Sequence, residues 1–157
     1  VRMTEPVGYR NHIFINLDGS PNEIFFINTG VPHAVVFVDS DQVPVRQWGR
    51  LLRYHEEFAP AGTNANFVRV GEDGSLLVRT YERGVEDETM ACGTGVVAAA
   101  IIAAQQGMSE SPVDVTTTGG EQLLVQFTLQ GDRVDDVCLQ GAARLIYQAE
   151  LSAEALL

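Results

Sequence analysis

Lysine is absent from the chain, and all ten basic residues are arginine. No side chain in these 157 residues can form the internal Schiff base that pyridoxal phosphate enzymes use, and no cofactor is expected. Cysteine is almost as scarce. Cys92 and Cys138 are too few for a disulfide framework, and the start of the chain does not resemble a signal peptide, so a cytoplasmic location is expected. CxxC, HxxxH and HExxH spacings are missing, and His12, His33 and His55 stand far apart, so no metal site is expected either. The longest apolar run, residues 96–104, is too short to cross a bilayer. Positive charge is also in deficit. A net charge of −11 and a pI near 4.5 exclude nucleic acid and anionic membranes as natural partners, because both would be repelled. That repulsion does not extend to a small anion held by a local arginine.

The residues that are present describe an ordinary soluble domain. At 45% hydrophobic and 20% charged, the chain reads as one globular domain, residues 1–157, with a single core. His12-Ile13-Phe14-Ile15-Asn16-Leu17 and Glu23-Ile24-Phe25-Phe26-Ile27-Asn28 flank an Asp18-Gly19 turn and predict a hairpin. Ala34-Val35-Val36-Phe37-Val38 is continuously apolar and reads as a strand buried on both faces. A helix is expected over residues 45–54, with Val45, Trp48, Leu51 and Leu52 on one face and Pro44 at its start. Strands over residues 65–70 and 76–81 form a second hairpin around Asp73-Gly74.

The next segment is apolar on every face. Residues 96–104 predict a helix that must be surrounded by protein, with Gly107 as its stop. Strand patterns then return over residues 113–118, 123–129, 134–139 and 144–151, with turns at Gly119-Gly120, Gly131-Asp132 and Gly141. The whole predicts an α+β fold. Its strongly curved, barrel-like, mostly antiparallel sheet wraps one buried apolar helix, and one further helix packs outside.

Chemistry concentrates at Ala91-Cys92-Gly93-Thr94-Gly95, where a cysteine opens the buried helix. Unpaired N–H groups and the positive end of the helix dipole favour negative charge there. The thiol pKa is expected to fall, and the N–H groups are expected to hold a carboxylate. Gly93 and Gly95 permit close backbone approach, and Thr94 adds a hydroxyl. Cys138, in Val137-Cys138-Leu139, reads instead as a small hydrophobe in a strand. Glu82-Arg83-Gly84 ends the preceding strand. Arg83 suits a carboxylate, and Glu82 suits an ammonium group or raises the basicity of a nearby thiol, although a surface ion pair is the commoner fate of such residues. Taken singly, His33 reads as a structural histidine and Asn64 as a turn residue.

Taken in order, these pieces resemble a known family. Pro32-His33, Gly62-Thr63-Asn64-Ala65-Asn66-Phe67, Tyr81-Glu82-Arg83-Gly84 and Ala91-Cys92-Gly93-Thr94-Gly95 are similar to the C-terminal half of diaminopimelate epimerases. The resemblance implies a cofactor-independent epimerase that interconverts LL- and meso-diaminopimelate in lysine and peptidoglycan biosynthesis. It also implies two pseudo-symmetric domains, each a barrel-like sheet around a central helix, with the active site between them. By position, Cys92 matches one of two catalytic cysteines. His33 and Glu82 match residues that tune the cysteine pKa values, and Asn64, Glu82, Arg83, Gly93 and Thr94 match substrate contacts. The segment carrying the other cysteine would precede Val1, so the expected partners are diaminopimelate and the missing N-terminal half, with a homodimer of the full-length protein. Two departures stand out: Val31 replaces the Asn that many members carry before Pro-His, and the loop over residues 82–89 is one residue longer than the common form.

Inverting a carbon centre takes two acid/base groups on opposite faces. Cys138 lacks a setting comparable to that of Cys92, so these residues are expected to supply half of an active site. Two other readings stay open. One is a related cofactor-independent racemase or isomerase of the proline racemase or phenazine-biosynthesis type. The other is a non-catalytic domain that binds an amino acid or serves in assembly.

Overall fold

Asp18 and Gly19 both adopt positive φ, 56° and 83°, the pair of angles that closes a two-residue hairpin without splaying its strands. This turn joins β1 (Val7–Leu17) to β2 (Ser20–Asn28) in the computed structural model, which describes residues 1–131, 133–152 and 154. β3 (Pro32–Phe37) continues the sheet antiparallel to β2. The helix α1 (Val45–Arg53) then carries the chain over to β4 (Asn64–Val70), which runs parallel to β3. β5 (Leu76–Glu82) returns antiparallel after a turn in which Asp73 accepts the Ser75 N–H at 3.0 Å, and the short β6 (Asp87–Thr89) pairs with it. A second helix, α2 (Gly93–Gln105), crosses to β7 (Val113–Thr117), parallel to β5, and β8 (Gln122–Gln130) and β9 (Arg133–Gln140) complete the order β1-β2-β3-β4-β5-β7-β8-β9. The two parallel joins are the two places where a helix is inserted, since parallel neighbours need a crossover and a tight turn cannot provide one.

Alternation along the central strands sorts their side chains onto two faces. Phe25, Ile27, Val35, Val68 and Val78 face α2, whereas Ile24, Ala34, Val36, Ala65 and Phe67 face α1. This explains the unbroken apolar run of β3, which is buried on both sides. Residues 95–103 of α2 are all buried, and β2, β3, β4, β5, β7, β8 and β9 all touch the helix. A helix without a polar face has been given a sheet that bends around it.

Three expectations are corrected. The sheet does not close into a barrel. β1 carries register breaks between Val7 and Ile13, with positive φ at Gly8 and His12, and no ladder joins it to β9. The start of the chain reaches that edge instead, through an isolated bridge from Arg2 to Cys138 and a 2.8 Å bond from the Met3 N–H to the Val137 carbonyl. On α1, Leu51 points outward and Gly49 takes its place against the core, because the α1 backbone lies so close to Tyr81 that a Cβ at Gly49 would overlap the ring. Residues 144–151 form no strand; Leu145, Ile146, Tyr147 and Leu151 are 88%, 89%, 79% and 73% exposed. Asp132, half of the Gly131-Asp132 turn, lies outside the described residues, as do Ala153 and residues 155–157.

Candidate active site

The apolar core around α2 ends abruptly at the first turn of the helix. Two residues from the valines that face α2, and so on the same face, the sheet presents His33, Asn66 and Thr80, which are 0%, 0% and 3% exposed. Register brings them together, since Asn66 lies opposite Val35 on one side and Thr80 on the other. Cys92 is the residue preceding the helix, extended at φ −133° and ψ 102°, and its carbonyl accepts the Val96 N–H at 2.9 Å.

A chain of hydrogen bonds runs from the sheet to the thiol. Thr80 Oγ1 donates to Asn66 Oδ1 at 3.0 Å, and Asn66 Nδ2 donates to the Ala34 carbonyl at 3.0 Å. The same nitrogen lies 3.1 Å from His33 Nδ1, His33 Nε2 lies 2.9 Å from Thr94 Oγ1, and Thr94 Oγ1 lies 3.6 Å from Cys92 Sγ. The Thr94 carbonyl accepts from buried Thr29 Oγ1 at 2.9 Å, which fastens the first turn of α2 to the end of β2. Gly95 has an internal reason to be glycine. A Cβ there would overlap Asn66 Oδ1 and come within 3.3 Å of His33 Cε1, so the position makes room for the buried polar pair. At Gly93 a Cβ would lie 3.2 Å from Leu139.

The electrostatics differ from the sequence reading at Cys92. Burial pushes the thiol up and the negative charge of Glu82 adds to the rise; the Thr94 hydroxyl and the N–H groups of Gly95 and Thr94 pull it down without prevailing. The helix start acts in the expected direction, but desolvation of a half-buried sulfur outweighs it. His33 is moved down to about 3, first by burial and then by the nearby charge of Arg83, so it is neutral at physiological pH. Cys138 is exposed on β9, not packed as a small hydrophobe.

Asn64 and Arg83 are tied to each other through the backbone. Asn64 Oδ1 accepts the Arg83 N–H at 2.7 Å and its Nδ2 donates to the Pro32 carbonyl at 3.2 Å, which holds together β3, β4 and the end of β5. At 3% exposed and so engaged, Asn64 shapes the site more than it faces outward. The Arg83 guanidinium donates to the Ala61 carbonyl at 3.0 Å and pairs with no carboxylate among the described residues. The surface ion pair that is the commoner fate of such residues is formed by neither Glu82 nor Arg83 among the described residues. The loop after them is held by Glu86, which takes the Gly84 N–H at 3.1 Å, Arg53 of α1 at 3.0 Å and the Tyr81 hydroxyl at 3.3 Å.

The structure thus gathers Cys92, Thr94, His33, Glu82, Arg83 and Asn64 around the start of α2. It adds Asn66, Thr80 and Thr29, which the residue-by-residue reading passed over. Asn66 left a trace in the sequence: two asparagines spaced by two in a largely apolar strand share a face and need partners. Among the described residues, no group of three or more His, Cys, Asp or Glu gathers as a metal-ligand set, and no helix is long and apolar enough to cross a membrane.

This arrangement of sheet and helices is the one found in solved amino-acid epimerases and racemases. A hydroxyproline epimerase from Agrobacterium vitis, with bound trans-4-OH-L-proline, superposes with a TM-score of 0.56 at 17% identity, over 87% of this chain and 46% of that one. A probable proline racemase from Agrobacterium radiobacter K84, with bound carbonate, gives 0.59 at 15% identity, over 90% and 52%. At the level of sequence, the diaminopimelate epimerase family model matches residues 25–146. The chain is 44% identical over 158 aligned positions to the diaminopimelate epimerase of Hydrogenobaculum sp. (strain Y04AAS1), covering 98% of this chain and 55% of that protein. It is 45% identical over 144 positions to that of Aquifex aeolicus (strain VF5), covering 90% and 50%. The chain belongs to the diaminopimelate epimerase family. It spans about half the length of these curated relatives.

Proposed function

We propose that this chain supplies one thiol of a two-thiol proton relay that epimerises diaminopimelate, between the LL and meso forms, without pyridoxal phosphate. The observation that carries the reading is Cys92 at the start of a buried helix, in contact with the Thr94 hydroxyl and beside an arginine that has no carboxylate partner among the described residues. Cys92 is the acid/base group. Glu82 and burial keep it a thiol near neutrality, which suits delivery of a proton to the α-carbon; removal of the proton from the opposite face falls to the second thiol. His33 acts on Cys92 through Thr94. The N–H groups of the first turn of α2, at Gly93 and Thr94, receive the α-carboxylate with Arg83, and there they stabilise the charge that develops as the proton leaves. Asn64 orders the edge of that cradle and Glu82 receives an ammonium group.

Cys138 is no candidate for the second thiol: it is exposed on β9, bridged to Arg2. The partner is an N-terminal half of the kind that makes up the rest of the relatives' length, joined in a cytoplasmic enzyme that dimerises when complete. The exposed apolar side chains of residues 144–151 are consistent with a further surface to be covered.

Mixing this chain with the N-terminal half of the Hydrogenobaculum relative and following exchange of the substrate Cα–H in D₂O tests the reading. The mixture should exchange and epimerise, and the chain alone should be inert. Full turnover by the isolated chain contradicts it.

A further inference from the structure

The orientation of the Asn66 amide is decided by groups other than His33. The Ala34 carbonyl can only accept, so the nitrogen of Asn66 must face it, and Thr80 Oγ1 then donates to Asn66 Oδ1. With the nitrogen fixed, its second N–H points at His33 Nδ1, 3.1 Å away. Two donors cannot share that contact, so Nδ1 accepts and the ring proton sits on Nε2. Nε2 in turn lies 2.9 Å from Thr94 Oγ1 and donates to it. A hydroxyl that receives an N–H on its oxygen keeps its own proton free, and the next atom within reach is Cys92 Sγ at 3.6 Å.

We propose that Asn66 is a positioning residue for Cys92: it locks His33 in the Nε2–H form, which turns the Thr94 hydroxyl into a one-way donor toward the sulfur. A direct consequence concerns His33. In this form its Nε2 has no lone pair to offer, so His33 does not take the cysteine proton through Thr94. It orients a donor that stabilises the thiolate each time Cys92 gives up its proton. The strong downward shift of His33 agrees, since the ring stays neutral across the working pH range. The charged groups that bear on this chain are Glu82, which acts on Cys92, and Arg83, which acts on His33. Gly95 belongs to the same device, because a side chain there would displace the amide.

The proposal rests on the reading of Cys92 as an acid/base thiol, but its test needs no substrate, so the two can fail separately. In a Cys138→Ser background, which leaves Cys92 as the only thiol, long-range ¹H–¹⁵N correlation of the His33 ring should show a single tautomer protonated on Nε2. A ring protonated on Nδ1, or an equal mixture, overturns the proposal, and this readout requires no change near the site. The pH dependence of Cys92 alkylation by iodoacetamide gives the second readout. Thr94→Val should raise the apparent pKa of Cys92 by about one unit, a roughly tenfold slower reaction at pH 8, while Thr94→Ser stays within about twofold of the parent. Asn66→Leu should raise it in the same direction, and the Asn66→Leu/Thr94→Val double variant should be no slower than Thr94→Val alone. An additive double variant, or Asn66→Leu without effect on Cys92, overturns the proposal. If Asn66→Leu does not fold, the tautomer and the Thr94 pair decide.

Discussion

The two ends of α2 sit inside the same sheet and obey different rules. From Val96 to Ala103 the helix is surrounded by buried valine, isoleucine, leucine and phenylalanine side chains, which contribute apolar volume. One turn earlier the same sheet offers His33, Asn66 and Thr80, all buried and all hydrogen-bonded to each other or to the helix start. The apolar end stabilises the domain through burial. At the polar end each buried group must be matched by a partner, so one residue change propagates along the chain of bonds. Cys92 lies where the polar end meets solvent, and the Thr94 hydroxyl that touches it is itself held by His33.

Substitutions at each end should separate these roles. The largest effect is expected from Ile101→Ala, which removes a fully buried side chain from the apolar end. It should destabilise the chain by about 2–5 kcal/mol in urea unfolding and leave the apparent pKa of Cys92 unchanged. Gly95→Ala should cost less, about 1–3 kcal/mol, because the new methyl must push aside Asn66. Unlike Ile101→Ala, it should also alter the alkylation profile of Cys92. The smallest effect, taken per pH unit, is a pH dependence. His33 is held neutral down to about 3 in the folded chain, whereas the unfolded chain takes up its proton near 6.5. The unfolded state therefore binds more protons between those values. The stability from this group is fully present above about 6.5 and falls with decreasing pH at up to about 1.4 kcal/mol per unit. Urea titrations at pH 7, 6 and 5 should show this slope, and His33→Asn should lack it.

The apolar end was legible in the sequence because periodicity reports burial. A run without any polar face, residues 96–104, can only be a surrounded helix, and the alternating runs on either side can only be its sheet. Periodicity failed where backbone proximity decided the packing. Gly49 faces the core of α1 against Tyr81, and an apolarity pattern assigns that place to Leu51. It failed again over residues 144–151, where a strand pattern meets no sheet edge among the described residues. Barrel closure was illegible for a related reason, since the register breaks of β1 depend on φ at Gly8 and His12.

At the polar end, the motif around Cys92 marked the place and the resemblance marked the residues, but the balance of forces was hidden. The helix start lowers a thiol pKa by a local rule that the sequence displays. The desolvation that outweighs it comes from burial of the sulfur in the folded chain, which no local pattern displays. Asn66 illustrates the same limit. Its spacing from Asn64 was visible, whereas its partners Ala34, His33 and Thr80 come from neighbouring strands whose register only the fold supplies.

On the proposed function, Cys92 is one of two thiols acting on opposite faces of a single carbon. The most direct measurement is made on the enzyme reassembled from this chain and an N-terminal half, by following epimerisation of LL- and of meso-diaminopimelate with Cys92 and with Cys92→Ala. Both directions should slow on the order of 10²–10⁴-fold while the variant still folds. Epimerisation at an undiminished rate in the Cys92→Ala enzyme would contradict it.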